Sequence, residues 1–220
     1  MIVTIDGLAG SGKSSAAKAF AEAIGFEFLP TGKMYRAVAL LLLDAAVPMA
    51  ARPRDVNRIA HLLSEVRFEF PATGTTVLNG VDYSARLRSP EATAASSLCA
   101  EFPEVRVVLK REQQRIAQGR RFVAEGRDLG TAVFPEAPLK FFFTADIRVR
   151  ALRRQAEEPT RALAEVTRDL LTRDATDSSR ECDPLLQPAD AIIIDTTELK
   201  FPTVLAQLQD AYSACAARPC

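Results

Sequence analysis

The sequence predicts an α/β protein built on a five-stranded parallel sheet covered by helices on both faces, and three observations carry that prediction. First, the β-branched run Ile2-Val3-Thr4-Ile5 leads at once into a glycine-rich turn. Apolar residues at helical spacing then follow at Ala16, Ala17, Phe20, Ala21 and Ile24. Second, residues 139–144 are almost continuously apolar, as a central parallel strand buried on both faces must be. Third, strand-like runs at 26–29, 121–124 and 191–195 alternate with helical patterns, the order of successive βαβ units.

Gly25 stands where the first helix needs a left-handed cap. After the second strand and Pro30-Thr31-Gly32, residues 34–43 read as a helix with Tyr35 and Arg36 in its first turn. Residues 50–54 read as a loop, and 56–66 show helical periodicity through Val56, Ile59, Leu62 and Leu63. The character then changes. Phe68 and Phe70 alternate with polar residues, 71–75 are turn-rich, and Thr76-Val77-Leu78 precedes Asn79-Gly80, a strong hairpin signal. This is a small β-rich insertion in an otherwise alternating chain. Helices are expected at 91–101 and at 103–118, the second opening with Pro103 at a favourable first-turn position. Asp146 can cap a helix carrying Arg148, Arg150, Arg153 and Arg154. A further helix is expected at 160–173, with Ala162, Leu163, Val166, Leu170 and Leu171 as its apolar stripe, and a closing helix at 203–212.

The 220 residues carry 28 Lys plus Arg against 28 Asp plus Glu, so no overall field draws the chain to nucleic acid or to a membrane surface. Its longest strongly apolar run, 37–43, is too short to span a bilayer. The first strand begins at the initiator and runs straight into the glycine turn, so no leader peptide is expected and the expected location is cytoplasmic. Cys99, Cys182, Cys215 and Cys220 have no metal-type spacing and read as reduced thiols, and His61, the single histidine, reads as a surface or packing residue.

The chemistry begins with Gly7-Leu8-Ala9-Gly10-Ser11-Gly12-Lys13-Ser14, followed by Ser15. Two glycines bracketing four residues, then Lys and a hydroxyl, form a phosphate loop when they lie between a strand and a helix. Its backbone N–H groups and the helix N-terminus face phosphate oxygens, Lys13 reaches the β- and γ-phosphates of ATP, and the Ser14 hydroxyl ligates Mg²⁺. Outside the loop, Arg36, Arg88, Arg106, Arg127, Arg150, Arg154, Arg173 and Arg180 fall at segment ends, near loops or on charged helix faces. Phosphoryl transfer between two nucleotides gathers several negative charges, and guanidinium groups with Mg²⁺ neutralise them, so the pattern suits a kinase for an anionic acceptor.

Together with the loop, Thr31-Gly32-Lys33-Met34-Tyr35-Arg36, the β-rich insertion, Glu125-Gly126-Arg127-Asp128-Leu129-Gly130-Thr131 and the segment from Arg173 to Arg180 resemble the bacterial cytidylate kinases over nearly the whole chain. That resemblance implies the nucleoside-monophosphate kinase fold and transfer of the ATP γ-phosphoryl group to CMP or dCMP by a monomer, with no nucleic-acid or membrane partner. It implies a single domain made of a core (1–50, 90–154 and 180–220), an acceptor-binding insertion (about 51–89) and a lid (about 155–179). Arg36, following Tyr35, would hold the acceptor phosphate and Arg127 the phosphates as they approach. Thr31, Ser97 and Arg106 match positions that read the cytosine or its neighbourhood, with Arg88 in support. Arg173 and Asp177 match those holding the acceptor sugar, and Arg180 one reaching in from the lid. Arg150 and Arg154, where the lid begins, would lie on the ATP side, and Asp128 matches an acidic residue near acceptor and metal. The chain departs from the family pattern at Pro30 and Thr31, where an acidic residue and Ser are usual, and at Thr176, where Arg is common. Two other readings remain open: a kinase of the same core for another acceptor such as UMP, and a catalytically silent nucleotide-binding protein.

Overall fold

In a computed structural model describing residues 1–50, 55–71 and 75–217, the chain divides into two compact units. One comprises Met1–Pro30 and Gly119–Cys220, and the other Thr31–Gln118.

The first unit holds the five expected strands, β1 (Ile2–Gly7), β2 (Glu27–Pro30), β6 (Phe122–Glu125), β7 (Leu139–Thr144) and β8 (Ile192–Asp195). All pair in parallel, in the order β2-β6-β1-β7-β8. The first strand in sequence is therefore central, with Val3 level with Val123 on one side and Leu139 on the other. The helix α1 (Lys13–Ile24) lays Ala16, Ala17, Phe20 and Ala21 on the sheet, where Phe20 meets Phe141 edge-on, and α8 (Phe201–Ala216) adds Val204 and Leu208 to the same core. Gly25 closes α1 in the left-handed conformation, as its position predicts. The cover is incomplete at the edge: Ile194 of β8 is buried, but Ile192, on the same face, and Ile193, on the other, are exposed.

After β7, Asp146 caps α6 (Ile147–Glu157) by accepting from the Arg148 N–H. The helix α7 runs Leu163–Ser179, starting later and ending six residues beyond the expected Arg173. Its buried stripe is Val166 and Leu170, packed on Ala9, Ala151 and Ile147, whereas Leu163 and Leu171 face solvent.

In the second unit, α2 (Thr31–Asp44) packs on α4 (Pro90–Cys99), and α3 (Val56–Leu63) on α5 (Pro103–Ala117). The insertion forms a small antiparallel sheet of β3 (Phe68–Glu69), β4 (Val77–Leu78) and β5 (Val81–Asp82), with Asn79 and Gly80 both at positive φ in the expected turn. Its helices and sheet group together, so the observed division falls at Thr31 and Gln118 rather than at the ends of the insertion. Much of the expected loop at 50–54 and turn at 71–75 lies outside the described residues, as does Cys220. His61 is exposed, and Cys99, Cys182 and Cys215 are free thiols, with burial pushing the Cys99 thiol far up.

Candidate active site

The sheet order places the β1–α1 turn in the middle of the first unit. Gly7 has φ 137°, and a Cβ there would lie 2.0 Å from the Phe143 carbonyl oxygen, so only glycine lets the loop leave β1 beside β7. Leu8 N–H then donates to that same carbonyl at 3.1 Å. Gly10 and Gly12 turn the chain through left-handed conformations. Three of the loop's carbonyls accept from side chains. The Leu8 carbonyl accepts from Ser11 Oγ and Lys13 Nζ, that of Ala9 from Arg150, and that of Ser11 from Thr196 Oγ1. Lys13, Ser14 and Ser15 form the first turn of α1, where backbone N–H groups have no partner within the helix, and the Ser14 and Ser15 side chains are exposed there. Lys13 is buried, and that burial, with the fields of Arg127 and Arg173, lowers its pKa to about 7.

Asp6, the last residue before Gly7, carries a role the sequence motifs did not reveal. It is fully buried, and its two carboxylate oxygens accept the N–H groups of Leu129 at 3.0 Å and Gly130 at 2.7 Å. Desolvation raises its pKa to about 7, outweighing those two donors. Asp6 thereby fixes the turn after β6, where Asp128 precedes the single π-helical turn Leu129–Val133. The one available signal was an acidic residue at the end of an apolar strand.

That turn carries a buried charge cluster. Arg127 Nε donates to Asp177 Oδ2 of α7 at 2.9 Å, with Glu125 4.0 Å from its Nη1. Burial works against the Arg127 charge, but Asp177 and Glu125 more than offset it and raise the pKa. Arg180 lies 3.5 Å from both Asp128 and Asp177, and its buried Nη2 makes no hydrogen bond. Thus Arg127, Asp128, Asp177 and Arg180 come together in the structure, and Arg173, on the same helix, is close enough to act on Lys13. Arg150 and Arg154 are placed differently from each other. Arg150 is buried against the phosphate loop, while Arg154 turns to Glu157 and Glu158 near the end of its own helix.

In the second unit, Lys33, Arg36 and Arg88 line a cavity of about 410 Å³ together with Ser84, Ala85 and Leu87, which gives that lining three cations. Lys33 and Ser84 were not singled out by the sequence motifs. Thr31 is buried at the start of α2, and the buried Arg106 guanidinium lies 5.8 Å from the Tyr35 ring centroid and donates to the Ala100 carbonyl. Ser97 is half-buried on α4, whereas its neighbour Ser96 is buried and donates to the Thr93 carbonyl. A cavity of about 430 Å³ beside Glu112 is of another kind: Arg115 and the Phe68 N–H occupy the Glu112 carboxylate, with Arg67 nearby.

A glycine-rich loop at a helix start, a buried lysine and a nearby guanidinium cluster are the equipment of phosphoryl transfer, and the sequence match is specific about which kind. The family model described as cytidylate kinase matches residues 3–214. The chain belongs to the cytidylate kinase family. A cytidylate kinase of Thermotoga neapolitana is 40% identical over 210 residues, covering 94% of each chain. A bifunctional pantoate ligase/cytidylate kinase of Synechococcus sp. is 39% identical over 216 residues, and there the match covers 94% of this chain and 41% of the relative. Among solved structures, a shikimate kinase of Bacteroides thetaiotaomicron aligns over 97% of this chain and 98% of its own with TM-score 0.51 at 11% identity. An uncharacterised protein of Eubacterium ventriosum aligns over 99% of both chains with TM-score 0.56 at 13% identity. Both share the fold.

Proposed function

We propose that this chain transfers the γ-phosphoryl group of ATP to CMP or dCMP, giving CDP or dCDP. The observation that carries the proposal is the buried cluster of Arg127, Asp128, Asp177 and Arg180 in the same unit as the phosphate loop, in a chain of the cytidylate kinase family. The loop from Gly7 to Ser15 holds the donor phosphates, with Lys13 swinging from the Leu8 carbonyl to the β- and γ-phosphates. Among the described residues no group of three His, Cys, Asp or Glu side chains is built to hold a metal. The exposed Ser14 hydroxyl at a helix start fits Mg²⁺, which takes few protein ligands and completes its shell with phosphate oxygens and water. When bound, the ion neutralises charge on the transferring group.

The acceptor phosphate enters the cavity lined by Arg36 and Arg88, and Arg106, Tyr35, Thr31 and Ser97 read its base and surroundings. Arg173 and Asp177 hold its sugar, while Arg127 and Arg180 follow the phosphates. An oxygen of the acceptor phosphate attacks the γ-phosphorus as the bond to the β–γ bridging oxygen breaks, leaving ADP. That oxygen is already a nucleophile, so Asp128 orients groups rather than abstracting a proton. A lid of about 155–179 closes against water, the ever-present wrong acceptor, and the insertion at about 51–89 contributes to acceptor binding. Among the described residues no helix is long and apolar enough to cross a membrane. The reading is of a cytoplasmic monomer without a nucleic-acid partner.

The deciding experiment is coupled ADP release with ATP and Mg²⁺, scanning CMP, dCMP, UMP, dUMP, AMP and GMP against a no-acceptor control, with Lys13→Ala as a second control. The expected result is turnover with CMP and dCMP far above the rest and none with the variant. Acceptor-independent release, no release, or a folded Lys13→Ala protein with near-normal turnover would overturn the proposal.

A further inference from the structure

Ala9 lies within the phosphate loop, and both of its backbone polar groups are held by side chains from the two helices that follow β7. Its N–H donates to Asp174 Oδ1 at 3.1 Å, and its carbonyl accepts from Arg150 Nη1 at 3.0 Å. The two side chains also meet, Arg150 Nη1 donating to Asp174 Oδ2, and Arg150 Nε is fixed by the Ala145 carbonyl at 2.9 Å. The result is a closed ring of charge-assisted hydrogen bonds running from α6 through Ala9 to α7, stronger bonds than neutral ones. Apolar contact backs it, with Ala9 packed among Ala151, Val166 and Leu170. Gly10 permits the approach, since a Cβ there would already crowd the Arg150 carbonyl oxygen at 3.3 Å.

An ion pair that merely fastened α6 to α7 would need only its two charges. Here each partner gives a further bond to the same loop residue, one to its N–H and one to its carbonyl, so the peptide planes on either side of Ala9 are set by the pair. We infer that Asp174, acting with Arg150 through Ala9, is a positioning residue that holds the loop in the shape that receives the donor phosphates. Asp177, three residues along α7, is held separately by Arg127 and Arg180, so the ring bonds to neither of the acceptor-side arginines, although the Asp174 charge does help keep Arg127 protonated. The inference rests on the reading of the loop as the ATP site.

The test compares Asp174→Asn, Asp174→Ala and the paired change Arg150→Met with Asp174→Leu, which removes both charges and keeps the fold accessible if the single variants leave Arg150 stranded. Affinity for Mg²⁺-ADP is measured by calorimetry, and KM for ATP and for CMP by coupled assay, on every variant with native circular dichroism. The expected result is at least about a tenfold weaker ADP affinity and higher ATP KM for Asp174→Ala and for the paired variant, a smaller loss for Asp174→Asn, which can still accept from Ala9, and a CMP KM within about twofold. Folded variants that bind ADP like the parent, or that raise both KM values together, would overturn the inference. Parent protein that takes up no ADP would instead overturn the donor reading on which it rests.

Discussion

Replacing Asp6 by asparagine changes the pH dependence of folding in a direction and by an amount that the structure sets. The Asp6 carboxyl is fully buried, and desolvation raises its pKa from 3.8 to about 7 even though two backbone N–H groups favour the charged form. A folded-state pKa above the unfolded one means that the folded protein holds this proton more tightly. The contribution to stability is therefore present in full below the unfolded pKa and is lost as pH rises through about 7. At about 1.4 kcal/mol per pH unit, the Asp6 contribution is about 2.5 kcal/mol at about pH 5 and close to nothing at about pH 8. Asparagine has no such titration. Urea unfolding of parent and variant across this range reads the contribution, because titrating groups that do not feel Asp6 cancel in the difference and only its coupling to Lys13 and Asp128 remains with it. The parent's advantage should shrink by about 2.5 kcal/mol between about pH 5 and about pH 8, equivalent to roughly 5–10 °C in melting temperature for a chain of this size. A difference that stays constant across that range would refute the burial argument.

Other expectations concern packing and base recognition. Gly7→Ala places a methyl carbon 2.0 Å from the Phe143 carbonyl oxygen at a backbone angle that suits glycine, and β7 cannot retreat without breaking its register with β1. The combined overpacking and backbone strain should cost at least about 4 kcal/mol and lower the melting temperature by roughly 8 °C or more, read by circular dichroism. A soluble variant melting with the parent would contradict the close approach. Arg106→Ala removes a buried guanidinium from beside the Tyr35 ring and should raise the CMP KM by about tenfold while relaxing the choice between CMP and UMP. An unchanged ratio of the two efficiencies would take Arg106 out of the base pocket.

What the sequence made legible follows from how local each determinant is. The strand β7 was readable from its near-continuous apolar run; Phe141 and Phe143, on one face, are fully buried, and Phe142, on the other, is half-buried. Gly25, Asp146 and Asn79-Gly80 were readable because a cap or a tight turn is decided by one or two residues. The end of α7 was not, since its last turns carry Asp, Thr and Ser, and nothing local shows that Arg127 holds Asp177 from the turn after β6, 50 residues away. Nor was the exposure of Leu163 and Leu171, because Ala9 and Ala151 offer the helix only a narrow apolar seat. The phosphate loop was legible from motif spacing, and the residue types proposed for the rest of the site from the family resemblance. Their directions were not: Arg150 and Arg154 stand four residues apart, yet the first is buried against Ala9 and the second pairs within its own helix. Asp6 escaped because it acts through the Leu129 and Gly130 N–H groups, brought to it only by folding.

The ion pairs around Arg127 and Arg180 bear on how the proposed reaction avoids a general base. Catalysis by alignment and charge needs guanidinium groups that are charged, aimed and immobile before the phosphates arrive, because reorganising them at the moment of transfer would return the advantage. A buried guanidinium with no counter-charge would be too costly, and the carboxylates of Asp177, Asp128 and Glu125 supply that counter-charge. They do so without exhausting the donors. Arginine presents five N–H groups, and Arg180 keeps its buried Nη2 3.5 Å from Asp128 without hydrogen-bond geometry. An orphaned buried donor is itself costly, by about 1–3 kcal/mol, so a phosphate oxygen arriving there relieves a penalty already present in the free protein rather than breaking a bond to be replaced. On the proposed function, the acidic residues of α7 and of the turn after β6 thus serve the arginines first and the substrate second, which accounts for carboxylates standing where four or more phosphate charges must converge.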